Sequence, residues 1–167
     1  MIKILPINSF TDNYIWFASY DTGNFVVDPG DADPVLEFCK TNNIKLENVL
    51  ITHHHFDHTG GLKKLLEFFP NINIFGPNNI PLINKIIDNK DKISINNLTF
   101  KIIKVPGHTL DHIAYFNNDF DRPILFCGDT IFVSGCGRVF EGTFDQMYES
   151  LLKLKSLPDN TEIYCAH

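Results

Sequence analysis

The run His53-x-His55-x-Asp57-His58 places three imidazoles and a carboxylate within six residues, and His108, Asp129 and His167 follow further along the chain. Imidazole and carboxylate are ligands for zinc, iron or manganese, so the dense cluster reads as metal binding. Each later residue has a blander reading: His108 as a turn residue after Pro106-Gly107, Asp129 as a turn cap beside Thr130, His167 as a frayed terminus. Taken together, seven candidates exceed the four ligands of one closed structural zinc site. That count suits two cations with a carboxylate bridging them, an arrangement that lowers the pKa of a shared water and polarises a carbonyl, and so leads to hydrolysis.

These residues need rigid elements to converge, and the sequence supplies them. Short strands read over 2–5, 14–19 and 25–28, then a helix capped by Asp33 with Pro34 at its first position, running to about Asn42. A strand at 48–52 ends abruptly in the histidine cluster, and Leu62, Leu65, Leu66 and Phe69 have helical spacing. Further strands are expected at 72–75, 98–105, 113–116, 124–127 and 162–165, with a helix over Pro81–Asp88. Thr143 and Gln146 form a capping box for a helix with Phe144, Met147, Tyr148, Leu151 and Leu154 on its apolar face. Four of these strands end in a candidate ligand, the usual address of a site in a layered α/β protein.

The chain has 167 residues, 44% hydrophobic and 20% charged, with 15 Phe and a formal charge of −6. Such a chain forms one compact domain. No basic cluster exceeds Lys63-Lys64, so nucleic acid and anionic membranes are not expected partners. Cys39, Cys127, Cys136 and Cys165 are widely spaced, and Met1-Ile2-Lys3-Ile4 does not open a secretion signal; the expectation is a reduced, cytoplasmic, monomeric protein. Neither Ser134 nor any cysteine has the neighbouring base that a nucleophile needs, so they read as structural.

The segment Thr52-His53-His54-His55-Phe56-Asp57-His58-Thr59-Gly60-Gly61 resembles the metal signature of the metallo-β-lactamase superfamily. Within it, Cys127-Gly128-Asp129-Thr130-Ile131-Phe132-Val133-Ser134-Gly135-Cys136-Gly137-Arg138, Val139-Phe140-Glu141-Gly142-Thr143, Leu157-Pro158-Asp159 and Tyr164-Cys165-Ala166-His167 are similar to glyoxalase II, the hydroxyacylglutathione hydrolases. The resemblance covers essentially the whole chain. It implies an αββα sandwich with two mixed β-sheets packed between helices, residues 1–167 forming the catalytic domain. It also implies His53, His55 and His108 on one metal, Asp57, His58 and His167 on the other, and Asp129 bridging, with Asp57 and Asp129 the catalytic carboxylates. The cofactors would be two divalent ions, zinc with iron or manganese as variants. Arg138 and Phe140 would contact the substrate, a glutathione thioester such as S-D-lactoylglutathione, hydrolysed to glutathione and a 2-hydroxy acid.

Two departures from the family pattern stand out. Asp111 occupies a position where the family has Gly before His112, which reads as a local turn adjustment, with His112 a supporting residue rather than an eighth ligand. The family's C-terminal helical domain, a source of further glutathione contacts, is absent from this chain, so weakened substrate binding, seen as a raised KM, is expected. Other chemistries of the same scaffold are the alternatives: a sulfur dioxygenase with one iron, a lactonase, a phosphodiesterase, or a metal-binding module with little turnover.

Overall fold

The computed structural model describes residues 2–87 and 92–167, and the chain divides into two compact units, residues 1–88 and 89–167. In chain order the first unit contains β1 (Lys3–Ser9), β2 (Asn13–Tyr20), β3 (Gly23–Val27), α1 (Ala32–Thr41), β4 (Asn48–Leu50), α2 (Phe56–Thr59), α3 (Leu62–Phe68), β5 (Asn73–Gly76) and β6 (Lys85–Ile86). Its six-stranded sheet has the order β1-β2-β3-β4-β5-β6, antiparallel through β3 and parallel beyond. Pro6 is accommodated because β1 is an edge strand, where a missing N–H need not break a ladder. Among the parallel strands, β4 (Asn48-Val49-Leu50) is buried at every residue, as a strand covered on both faces must be. Ile15, Val26, Val35, Val49, Leu62 and Leu65 fill the core beneath them.

The second unit contains β7 (Lys92–Ile95), β8 (Leu98–Lys104), β9 (Ile113–Asn117), β10 (Ile124–Gly128), β11 (Ile131–Phe132), β12 (Gly135–Cys136), α4 (Phe144–Lys155) and β13 (Glu162–Cys165). Its five-stranded sheet runs β13-β10-β9-β8-β7, with β10 and β13 parallel and the rest antiparallel, so this sheet is mixed as well. Between Phe126 and Gly128 the β10–β13 register slips by one residue, a bulge that redirects the chain just before Asp129.

Helix α1 begins two residues earlier than expected: Asp31, not Asp33, is the N-cap, its carboxylate accepting from the Asp33 amide at 2.9 Å. The helix expected over Pro81–Asp88 does not form in its described part, and Asp88 lies outside the described residues. Leu82 has φ +72°, incompatible with a helix, and the Asn84 side chain bonds the backbone of Ile72 and Ile74 at 2.9 Å each, tying the segment to the sheet as β6. The capping box of α4 is present, but its buried face is Met147, Ser150 and Leu154, while Phe144 and Tyr148 are exposed. Ser150 is tolerated inside because its hydroxyl donates to the Pro106 carbonyl at 2.8 Å.

Candidate metal centre

In the first unit the chain leaving β4 delivers His53 and His55, and α2 carries Asp57 and His58. The His53 and His55 rings lie 4.8 Å apart and the His53 and His58 rings 4.1 Å apart, so four nominated residues gather in one place. His53 and His58 are fully buried, His55 and Asp57 half-buried. The loop is pinned by the His55 carbonyl, which accepts from the amides of His58 and Thr59 at 3.1 Å and the Thr59 hydroxyl at 2.9 Å. Asp57 is the second residue of α2 and does not cap it; the N-cap is His55, whose side chain makes no capping bond to the helix. Gly30 packs against the Asp57 carbonyl so closely that a Cβ there would stand 1.8 Å from the oxygen.

Three residues that the sequence pattern does not single out, Asp28, Thr52 and Asn13, support these ligands. Asp28, buried and at φ +53°, accepts from the Thr52 amide at 2.8 Å and the Thr52 hydroxyl at 2.7 Å, and its Oδ2 lies 3.1 Å from His58 Nδ1. Thr52 has spent its only proton on that carboxylate, so its oxygen accepts from His53 Nδ1, 3.0 Å away. Both histidines therefore carry the proton on Nδ1 and the lone pair on Nε2, the orientation a metal ligand needs. Asn13 donates to Asp57 Oδ2 at 3.0 Å. The available signal was position: Asp28 stands just past the end of β3, as the nominated ligands stand past theirs.

In the second unit His108, Asp129 and His167 converge, although the outermost two are 59 positions apart in sequence. His108 Nε2 is 3.2 Å from Asp129 Oδ2, and His167 Nε2 is 3.4 Å from Asp129 Oδ1. His108 Nδ1 donates to the Arg138 carbonyl at 2.7 Å, which again leaves the lone pair on Nε2. Phe132 packs edge-on to His167 at 5.1 Å, and the Cys165 thiol donates to the His167 carbonyl at 3.1 Å. Arg138 and Phe140 are exposed, with the guanidinium 5.1 Å from the ring centroid, and the Phe140 ring is edge-on to His108 at 5.3 Å.

The donor chemistry fits a divalent metal. Lone pairs on Nε2 face carboxylate oxygens at His108, 3.2 Å from Asp129 Oδ2, and at His58, 3.3 Å from Asp57 Oδ2, while His167 Nε2 lies 3.4 Å from Asp129 Oδ1. Two lone pairs facing each other repel, and a cation between them removes the repulsion. The spacings also match the ligand–ligand edge of a tetrahedral ion with bonds of about 2.0–2.1 Å, roughly 3.3–3.4 Å. All seven nominated ligands are among the side chains able to hold a metal.

The cysteines take no part. Burial pushes the Cys39 thiol up to about 11 and the Cys127 thiol up to about 12, and raises that of Cys165; Cys136 and Ser134 are exposed. No described helix is long and apolar enough to cross a membrane.

Residues 10–167 match the family model for the metallo-beta-lactamase superfamily, and the chain belongs to that superfamily, with its α/β sandwich of mixed sheets. Among solved structures the chain is similar to the BLEG-1 B3 metallo-β-lactamase, at a TM-score of 0.87 and 22% identity, covering 100% of this chain and 91% of that one. It is also similar to ETHE1 from Myxococcus xanthus, at 0.82 and 28%, covering 100% and 75%. Over 170 aligned residues it is 47% identical to the hydroxyacylglutathione hydrolase of Aliivibrio fischeri (strain ATCC 700601 / ES114). That match covers all of this chain, which spans 66% of the length of the relative.

Proposed function

We propose that the protein hydrolyses the thioester of S-(2-hydroxyacyl)glutathione, such as S-D-lactoylglutathione, giving glutathione and a 2-hydroxy acid. The two units would form one catalytic domain, with His53, His55 and His108 on one ion, Asp57, His58 and His167 on a second, and Asp129 shared. The observation that carries this is Asp129 itself: its carboxylate lies between two histidines nominated for different ions, His108 and His167, where it would be shared by both. The relatives named hydroxyacylglutathione hydrolase support the substrate class.

Two divalent ions, zinc with iron or manganese as alternatives, would supply hydroxide near neutral pH and a Lewis acid for the carbonyl. The protein's own residues hold the ligands rigid: Asp28 and Thr52 set the tautomers of His58 and His53, the Arg138 carbonyl sets that of His108, and Asn13 steadies Asp57. A thiolate leaves more readily than an amine, so less is asked of a general acid, and no side-chain nucleophile is required. Arg138 and Phe140, stacked and exposed, would take the glutathione portion, the guanidinium pairing with a carboxylate. The reading extends to a monomer in a reducing cytoplasm, supported by four free cysteines.

The test is thiol release from S-D-lactoylglutathione by protein loaded with zinc. Saturable turnover that a chelator abolishes supports the assignment. Two bound ions without turnover on any glutathione thioester would remove it.

A further inference from the structure

We propose that His112 is a positioning residue for Asp129, and that through it both ligand positions of the metal centre are set together. This rests on the two-metal reading above. Asp129 follows the last residue of β10, beyond the reach of the sheet's own hydrogen bonding, where the backbone amide needs an acceptor. The acceptor is His112 Nε2, 3.1 Å from the Asp129 amide, on a side chain with no exposed surface. An imidazole accepting at Nε2 carries its proton at Nδ1, so His112 acts here as a neutral acceptor and not as a ligand.

The opposite end of Asp129 is held as tightly. Gly137 lies against its carbonyl, where a Cβ would stand 1.9 Å from the oxygen and 3.1 Å from His108 Nδ1. The Asp129 backbone is thus gripped at its amide by His112 and at its carbonyl by the chain at Gly137, immediately after a bulge that would otherwise let it turn.

The grip matters because the carboxylate is rigid. Oδ2 lies 3.2 Å from His108 Nε2 and Oδ1 lies 3.4 Å from His167 Nε2. A rotation of Asp129 that brings one oxygen closer to its histidine carries the other away, so loosening the amide disturbs both positions at once. His112 itself is anchored by its carbonyl, which accepts from the Val105 amide at 2.9 Å. Asp111 has no left-handed backbone, so the unusual residue before His112 leaves this anchoring intact.

The experiment compares wild type with His112→Gln, His112→Asn and His112→Leu. Each is loaded with zinc or cobalt, and ions per chain and their affinities are measured by chelator competition, with melting of the metal-free protein in parallel. Gln places an oxygen where Nε2 stands, whereas Asn reaches only the Nδ1 position. The expected result is near wild-type binding of both ions by His112→Gln, and binding of both weakened by about 10–100-fold in His112→Asn and His112→Leu. Should the Leu variant not fold, the contrast between Gln and Asn still decides. Three variants with lowered melting temperatures but unchanged affinities would overturn the proposal, because a merely structural histidine does that. Wild type that takes up two ions but hydrolyses no thioester would strike only the substrate assignment; wild type that takes up no ion pair would remove both.

Discussion

Oδ2 of Asp28 lies 3.1 Å from Nδ1 of His58, and the same oxygen accepts the Thr52 hydroxyl at 2.7 Å. Because Thr52 in turn accepts from His53 Nδ1, one buried carboxylate orients two histidines, His53 before α2 and His58 within it. Carboxylate–histidine–metal chains of this kind fix the ring and raise the basicity of its free nitrogen.

Asp28→Asn should therefore weaken metal binding through both histidines. Every neighbour of the carboxylate is a donor, so whichever way the amide is turned, its NH2 meets an N–H or O–H. The expected loss is about 10–100-fold in metal affinity. Thr52→Val removes only the link to His53 together with one bond to Asp28, and should weaken binding less. Equal affinities for all three proteins in a chelator titration would contradict this account.

Arg138→Ala and Phe140→Ala act on an exposed stacked pair beside His108 and not on any nominated ligand. Contacts made equally to substrate and transition state change KM alone, so a raised KM with kcat and metal content preserved is expected. A fall in kcat at unchanged KM would assign the pair a role in the chemical step.

The sequence revealed the ligands more fully than the parts that hold them. His53, His55, Asp57 and His58 are adjacent and chemically unlike their surroundings, and His108, Asp129 and His167 each stand after an apolar strand, so residue type and place coincide. Asp28 and Asn13 lack that contrast, since one precedes Pro29-Gly30 and the other follows Thr11-Asp12 at the very start of β2, where Asp and Asn are ordinary. The expected helix at Pro81–Asp88 failed where it was described because Asn84 satisfies sheet backbone groups that no local pattern discloses. Phe144 and Tyr148 have helical spacing with Met147, yet the face that packs is turned toward Ser150, which a hydroxyl-to-carbonyl bond makes tolerable.

Thiol chemistry gives an independent check on packing. At pH 8, Cys136, exposed, should react quickly with an aromatic disulfide reagent, while Cys39 and Cys127 should react only on unfolding. Their folded pKa values lie above the ordinary 9.0, at about 11 and about 12, so the folded state holds these protons more strongly than the unfolded one. Stability is unaffected by them below about pH 9 and falls as pH rises through that window toward about 12. Rapid labelling of three or four thiols in the native protein would show the packing to be looser than described.

The capping box of α4 should contribute on its own. Thr143 accepts from the Gln146 amide at 3.1 Å, and the Gln146 side chain accepts from the Thr143 amide at 2.9 Å. Thr143→Ala should cost about 1 kcal/mol in a denaturant titration, with metal content unchanged. No measurable loss would mean that the helix start is held by tertiary contacts alone.

Thioester hydrolysis by two ions that share Asp129 makes that residue the one to remove. The most direct measurement determines metal content and S-D-lactoylglutathione turnover on the same preparations of wild type and Asp129→Ala. The account expects two ions per chain and saturable turnover in the wild type, with the variant losing at least one ion and turnover falling by at least about 10²-fold. Undiminished turnover by Asp129→Ala, or turnover that persists in metal-free wild type, would contradict it.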